Sequence, residues 1–217
     1  MSSQRHADLE RMLDTGIVGI LRGVPAEKTV EVAGALADGG VDVIEVTADT
    51  DGALDTVARL SAAFDRSEVL VGAGTVLDSE TAGAALRAGA EFVVTPSFDA
   101  EVVRTCNRYG AVVAPGVMTP TEAVNAYEAG ADVLKVFPAS TLGPGHIGSL
   151  KGPLEHLPLL PTGGVSLDNV EAFVEAGADG VGVGSSLVDS DAVAAGDYEV
   201  LTDRAAAFRE AVESARE

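Results

Sequence analysis

The sequence is poor in several residue types, and each shortage excludes a class of protein. Cys106 is the only cysteine among 217 residues, so an intramolecular disulfide framework is excluded and a reducing compartment is expected. No apolar run reaches the roughly 18 residues that a membrane span needs. The segment that follows Met1 is polar and lacks the apolar centre of a signal peptide. We therefore expect a soluble, cytoplasmic protein.

Basic residues are also scarce. The chain has 14 Lys and Arg residues against 34 Asp and Glu residues, which gives a formal net charge of −20. Such a charge repels the phosphates of nucleic acids and anionic membranes, so we expect neither as a partner. Because 47% of the residues are hydrophobic, we expect a folded chain. An acidic surface around an ordinary core is typical of adaptation to high salt, where ions screen self-repulsion, and we expect a halophilic protein.

The three histidines do not form a metal-binding pattern. His6, His146 and His156 show neither H-x-H nor H-x-x-E-H spacing, so we expect no zinc-type site and place all three at the surface. Cys106 lies in a predicted helix, where a small buried packing residue is a better interpretation than a nucleophile.

The sequence does contain a regular alternation of apolar, β-branched runs with helical segments. A helix over about residues 3–15 precedes eight strand–helix repeats, and a last helix covers about 198–216. A glycine-containing helix end leads into each even-numbered strand, at 39–42, 88–91, 129–132 and 176–179. With no linker, this pattern predicts one domain over residues 1–217, an α/β (β/α)8 TIM barrel with an N-terminal helix. Coincidence of helix-end glycines is the alternative explanation of the repeat.

Two predicted strands each carry a charged residue among apolar ones. Lys135 lies in the sixth predicted strand and Glu45 in the second, both towards the carboxyl ends, where barrel enzymes have their active sites. Because side chains alternate along a strand, both can point into the barrel. A buried ion pair is one interpretation. We favour a lysine of lowered pKa with a carboxylate that moves protons, the pairing that imine chemistry requires.

Glycine turns after the last two predicted strands indicate a phosphate site. Glycines let backbone N–H groups approach an anion closely, and barrel enzymes often bind phosphate in these two loops. Tight turns that need positive φ are the alternative. The residues are Thr162, Gly163 and Gly164 after the seventh strand, and Gly184 and Ser185 after the eighth.

Seven sequence blocks together resemble the 2-keto-3-deoxy-6-phosphogluconate (KDPG) aldolase family, which includes 4-hydroxy-2-oxoglutarate and 2-keto-3-deoxy-6-phosphogalactonate aldolases. The blocks are GVDVIEVT (40–47), VGAGTV (71–76), APGVMTP (114–120), LKVFP (134–138), LKGP (150–153), PTGGV (161–165) and VGS (183–185). The resemblance implies a homotrimeric class I (Schiff-base) aldolase that needs no metal or other cofactor. It would cleave KDPG to pyruvate and glyceraldehyde 3-phosphate in Entner–Doudoroff-type sugar acid catabolism. The other two family substrates are alternatives.

The resemblance also implies individual roles. Lys135 would form the Schiff base and Glu45 would be the general acid/base. Thr75 and Phe137 would line the pyruvyl pocket. The distal phosphate would be bound by the two glycine turns, Thr162, Gly163, Gly164, Gly184 and Ser185.

At one position the chain departs from the family pattern. Many members have an arginine two residues after the Glu-x-Thr of the second strand, where this chain has Asp49. Other members carry an arginine in an Ile-Leu-Arg block at the end of the first strand, as Arg22 does here. We therefore predict that Arg22 binds the substrate carboxylate, which its planar guanidinium matches bidentately. A salt bridge at the rim is the alternative.

Two functions of other classes stay open on the sequence alone. A phospho-sugar isomerase or epimerase would use the same phosphate loops but no imine-forming lysine. A non-catalytic barrel that binds phosphorylated metabolites gives no reason for Lys135 and Glu45 to face inward together. The sequence also leaves open the C4 epimer of the substrate and activity on the unphosphorylated acid.

Overall fold

The computed structural model describes residues 3–217 and shows an α/β fold whose strands pair in parallel. The strands are β1 (Ile17–Leu21), β2 (Val43–Thr47), β3 (Leu70–Gly74), β4 (Phe92–Val94), β5 (Val112–Ala114), β6 (Gly116–Val117), β7 (Leu134–Val136), β8 (Leu159–Pro161) and β9 (Val181–Val183). The helices are α1 (Ser3–Thr15), α2 (Thr29–Asp38), α3 (Ala53–Ala63), α4 (Ser79–Arg87), α5 (Ala100–Tyr109), α6 (Pro120–Glu128), α7 (Ala139–Leu142), α8 (Pro144–Lys151), α9 (Val170–Glu175), α10 (Ser190–Ala195) and α11 (Glu199–Arg216).

The strands form two parallel sheets. A six-stranded sheet, curled into a half-barrel, has the order β5-β4-β3-β2-β1-β9, and a three-stranded sheet has the order β6-β7-β8. An isolated parallel bridge pairs Thr162, just after β8, with Gly182 of β9. Pro115 separates β5 from β6, because proline has no N–H to donate to a neighbouring strand. The predicted parallel α/β class is confirmed, with the strands divided between two sheets.

Two hydrophobic clusters lie on opposite faces of these strands. The larger, here called the outer cluster, joins the strands to the helices. The smaller, the inner cluster, lies on the other strand face and contains Met12, Val18, Val43, Leu70, Phe92, Val94, Val112, Ala114, Val133 and Leu160. Met12 comes from α1, so this N-terminal helix covers one end of the inner cluster. Arg5 of α1 forms a buried ion pair with Asp132, at 2.6 Å, and this pair fixes α1 to the segment before β7.

Local signals in the sequence account for several helix boundaries. Thr119 and Glu122 form a capping box at the start of α6, and Asp78 accepts a hydrogen bond from the backbone N–H of Thr81 at the start of α4. Helices α1 and α11 lie where they were predicted. The short helices α7, α8 and α10 were not predicted, because four to eight residues give too little periodic signal.

The cysteine and the three histidines, for which no chemical role is predicted, lie in a helix core and near the surface. Cys106 is buried in α5, and burial raises the pKa of its thiol to about 12, so it is a packing residue. His6 and His156 are exposed, and His146 is half-buried with its Nε2 2.8 Å from the Met118 carbonyl oxygen. Among the helices of residues 3–217, none has both the length and the hydropathy to cross a membrane.

Candidate active site

Glu45 and Lys135 both point to the inner face of the strands. The residues on either side of Glu45 in β2 belong to the outer cluster, whereas Val43 belongs to the inner one. The neighbours of Lys135 in β7 are likewise in the outer cluster, and Val133 is in the inner one. Because successive side chains alternate, both charged residues face inward. They are 1% and 4% exposed, respectively.

Burial shifts the pKa values of both groups towards their neutral forms. The pKa of Glu45 is raised by desolvation, against the opposing effects of Lys135 and then Arg22. The pKa of Lys135 is lowered by desolvation, against the opposing effect of Glu45. The two side chains affect each other's pKa without forming a direct ion pair. Such an amine can act as a nucleophile at a lower pH than an exposed lysine, and such a carboxyl group can exchange protons.

Glycine makes room for the Glu45 side chain. Gly74, the last residue of β3, pairs with Thr47 of β2, and a Cβ at Gly74 would overlap the Glu45 carboxyl group.

Phe137 follows β7 and its ring centroid lies 5.0 Å from Lys135 Nζ, a distance at which the ring face attracts a cation. Phe137 is 38% exposed, so the residue that contacts the Lys135 amine also borders solvent.

One cavity of about 430 Å³ joins the two charged residues to the glycine turns. It lies at the carboxyl ends of β1, β2, β7, β8 and β9, the position where barrel enzymes carry their sites. All the predicted site residues except Thr75 line it. The full lining is Ile20, Arg22, Glu45, Lys135, Phe137, Thr162, Gly163, Gly164, Val165, Gly184, Ser185, Ser186, Val188, Asp189, Ser190 and Asp191.

Arg22 lines the cavity, as a residue that binds the substrate carboxylate would. It also forms an ion pair at the rim, which was the alternative prediction for it. Its guanidinium contacts Asp49 through Nη1 and donates from Nη2 to Thr75 Oγ1 at 2.9 Å. Thr75 thus touches Arg22 at the cavity edge. Sequence reasoning noted Asp49 only as the place where an arginine is missing. The signal for the pair was present, since β1 and β2 are adjacent and their carboxyl ends share one edge.

The two glycine turns differ in what they require of the backbone. Gly163 and Gly164 have φ values of 90° and 81°, so positive φ explains their presence without a ligand. Gly184 has no positive φ, and a Cβ placed there would meet only the Ile20 Cβ, at 3.9 Å. The fold therefore does not require glycine at position 184, and an open approach to the backbone is a sufficient reason for it.

The lining residues that sequence reasoning missed come mainly from the segment after β9. Asp189 is the N-cap of α10, and its carboxylate accepts hydrogen bonds from two backbone N–H groups, which lower its pKa. Arg204 forms an ion pair with Asp189 at 2.7 Å and offsets its charge. An Asp ahead of a short helix was the available signal. Within residues 3–217, no three His, Cys, Asp or Glu side chains are grouped to hold a metal ion.

The sequence and the structure both match known proteins. Residues 9–203 match the aldolase family described as KDPG and KHG aldolase. The chain is 37% identical over 202 residues to 2-dehydro-3-deoxy-6-phosphogalactonate aldolase of Escherichia coli, covering 91% of this chain and 96% of the relative. It is 37% identical over 195 residues to 2-dehydro-3-deoxy-phosphogluconate aldolase of Treponema pallidum, covering 89% and 90%, respectively.

A solved structure of KDPG aldolase from Legionella pneumophila superposes with a TM-score of 0.85. It is 25% identical, and the match covers 93% of this chain and 97% of that one. That structure holds pyruvate captured as a covalent carbinolamine intermediate.

Proposed function

The chain belongs to the KDPG and KHG aldolase family and is a carbon–carbon lyase, and we propose that its substrate is 2-keto-3-deoxy-6-phosphogluconate, cleaved to pyruvate and glyceraldehyde 3-phosphate. The observation that carries the proposal is a buried lysine that faces a buried glutamate in one cavity with two glycine turns. The carbinolamine of the Legionella pneumophila relative supports covalent attachment of pyruvate by the same route.

The proposed mechanism begins with attack of the neutral Lys135 amine on the C2 ketone. The carbinolamine loses water to form an imine, and Glu45 moves the protons through water. Glu45 then accepts the proton of the C4 hydroxyl as the C3–C4 bond breaks, and the bond's electron pair enters the imine to give an enamine. Glyceraldehyde 3-phosphate leaves. The enamine is protonated at C3 and hydrolysed to pyruvate, which returns the Lys135 amine. Since the imine is the electron sink, the mechanism calls on no cofactor.

The remaining cavity residues bind the two ends of the substrate in this proposal. Arg22 holds the carboxylate next to the reacting ketone, and Phe137 covers the pyruvyl end. The phosphate end lies against the backbone of the two glycine turns, with Thr162 and Ser185 beside it. Gly184 supports this placement because the fold tolerates a side chain there but the position has none.

We also propose that the two sheets close into a (β/α)8 barrel in a single domain. The Thr162–Gly182 bridge supports contact between β8 and β9. At the other junction, backbone N–H groups of Asp132 and Lys135 donate to the Val113 and Pro115 carbonyls, at 3.1 and 3.0 Å. In this arrangement β5 and β6 act as one strand interrupted at Pro115.

Steady-state rates on four acids test the substrate proposal. The substrates are KDPG, its galactonate epimer, the unphosphorylated gluconate-derived acid and 4-hydroxy-2-oxoglutarate, with released pyruvate measured in each assay. The highest kcat/KM is expected for KDPG. A higher value for the epimer or for 4-hydroxy-2-oxoglutarate supports that alternative, and an activity that chelator abolishes and a divalent ion restores contradicts the imine mechanism.

The proposal extends to the state of the protein in the cell. We propose a cytoplasmic homotrimer adapted to high salt, on the basis of the family resemblance and the net charge of −20. Sedimentation equilibrium in molar and dilute salt measures the assembly, and a monomer in both contradicts the trimer.

A further inference from the structure

The Arg22 guanidinium is held at both of its terminal nitrogens. Nη1 contacts the Asp49 carboxylate, and Nη2 donates to Thr75 Oγ1 at 2.9 Å. Arg22 follows β1, Asp49 follows β2 and Thr75 follows β3, and these three strands are consecutive in the sheet. The two partners therefore approach Arg22 from neighbouring strand ends.

Backbone and hydroxyl hydrogen bonds fix the loop that carries Asp49. The Gly23 N–H donates to Thr50 Oγ1 at 3.2 Å, which ties the loop to the end of β1. The Ala48 N–H donates to the Gly74 carbonyl at 2.7 Å, which ties it to β3. Asp49 is thus presented to Arg22 from a loop anchored on both sides.

Thr75 adopts a backbone conformation that threonine normally avoids. Its φ is 54°, in the left-handed region, where a β-branched residue is an outlier. Such conformations persist where the surrounding structure imposes them, often at ligand sites. Glycine would relieve the strain but would remove the hydroxyl that Arg22 contacts.

An arginine in this position needs partners if it is to hold a ligand. The Arg22 side chain is 55% exposed, and a long exposed side chain loses rotamer freedom when it binds. Its two contacts each use one terminal nitrogen, and a guanidinium has five N–H groups, so donors remain for a carboxylate. Partners that fix Arg22 beforehand reduce the cost of ordering it.

We propose that Asp49 and Thr75 are positioning residues that hold Arg22 at the cavity edge in the orientation that binds the substrate carboxylate. The inference rests on the proposed function, because it presumes that Arg22 meets a keto acid. Asp49 raises affinity by orienting Arg22 and does not compete with the substrate for it.

The test uses pyruvate, which carries only the carboxylate and the ketone. Borohydride reduces the Lys135–pyruvate imine, and the pyruvate concentration that gives half-maximal trapping measures binding at this end of the cavity. The variants are Asp49→Asn and Thr75→Val, each alone and combined with Arg22→Met. Thr75→Ser keeps the hydroxyl, and Glu101→Gln removes a carboxylate from the exposed Glu101–Arg104 pair as a control.

We expect Asp49→Asn and Thr75→Val each to raise the half-saturating pyruvate concentration about two- to tenfold, the cost of ordering one side chain. Thr75→Ser, which keeps the hydroxyl, should have a lower half-saturating pyruvate concentration than Thr75→Val, and Glu101→Gln should match the wild type. In the Arg22→Met background neither substitution should have a further effect, since a residue that acts through Arg22 loses its role with it.

Three results overturn the inference while leaving the aldolase proposal intact. These are unchanged half-saturation in both variants, a decrease in Asp49→Asn, or an equal increase with Arg22→Met already present. An absence of trapping in the wild type is a different failure, because it contradicts the proposed mechanism itself and the inference with it.

Discussion

Glu45 on β2 and Lys135 on β7 face one cavity, and each opposes the pKa shift that burial imposes on the other. Desolvation disfavours both charged forms, whereas the opposite charge across the cavity favours them. The pair therefore keeps an amine and a carboxyl group that can both change protonation during a reaction. A fully solvated lysine would be protonated too completely to attack a ketone at neutral pH.

Replacing Glu45 with Gln separates the two effects on the lysine. Since the carboxylate raises the pKa of Lys135, we expect Glu45→Gln to lower that pKa further below 10.5. The pH dependence of acylation of the Lys135 amine should shift to lower pH. Turnover should fall about 10²- to 10⁴-fold, because a general acid/base is lost. Glu101→Gln on α5 is the control, and a shift to higher pH in Glu45→Gln contradicts the pairing.

Lys135→Met should abolish activity, and in a Glu45→Gln background, where no buried carboxylate loses its opposite charge, it should stabilise the fold. The folded-state pKa of Lys135 lies below its unfolded value, so the wild type carries a desolvation cost at neutral pH. That cost disappears as pH rises from the folded pKa towards 10.5. Denaturant unfolding should show Glu45→Gln/Lys135→Met about 1–3 kcal/mol more stable than Glu45→Gln near pH 7, with the gap narrowing as pH rises.

Lys151→Met is the matched contrast to that variant. Lys151 Nζ is 2.7 Å from Asp179 Oδ2 and 2.9 Å from the Leu157 carbonyl oxygen. Its removal takes this donor from both acceptors and leaves Asp179 Oδ2 with the Leu159 N–H, at 2.8 Å. We expect this variant to be destabilised by about 1–3 kcal/mol. If both methionine variants change stability in the same direction, burial of the Lys135 amine is not the cause.

Gly184→Ala should affect phosphate binding without affecting the fold. A Cβ at this position meets nothing closer than 3.9 Å and the residue has no positive φ, so the melting temperature should stay within a few degrees. We expect KM for the phosphorylated substrate to rise about tenfold, because the methyl group blocks approach to the backbone. Half-saturation by pyruvate should not change.

The control for that substitution is Gly145→Ala in α8, where a Cβ would meet nothing within 4 Å. Equal KM values for the wild type and Gly184→Ala contradict the placement of the phosphate at β9. If the half-saturating pyruvate concentration of Gly184→Ala rises as much as its KM, Gly184 lies at the pyruvyl end of the cavity and not at the phosphate end.

The parts of the fold and site that the sequence predicts are those with a repeating or local signal. Strict alternation of side chains along a strand predicts that Lys135 and Glu45 point inward. The turns that follow strands predict that Gly164 and Gly184 lie at the cavity. The Arg22–Asp49 contact depends on which loops meet at one edge, so the sequence predicts only a rim salt bridge of Arg22, as an alternative, and does not identify Asp49 as its partner. The division into β5 and β6 at Pro115 was not predicted either. A proline inside an apolar run indicates that a strand is interrupted, but not how the chain continues beyond it.

The strongly acidic composition predicts that salt stabilises the protein. With a net charge of −20, self-repulsion is large in dilute buffer and screened at molar ionic strength. We expect the melting temperature to rise steadily with sodium chloride. Chloride and sulfate at equal ionic strength should give equal shifts if screening is the cause. A melting temperature independent of salt contradicts the halophilic proposal.

Borohydride reduction in the presence of pyruvate tests whether Lys135 forms the imine. The reduced adduct is a carboxyethyl group on the lysine Nζ, and peptide mass spectrometry locates it. We predict irreversible inactivation of the wild type that requires both reagents, with the adduct on Lys135 alone and no adduct in Lys135→Met. Full activity after treatment, or an adduct on Lys28 or Lys151 with Lys135 unmodified, would contradict the proposed mechanism.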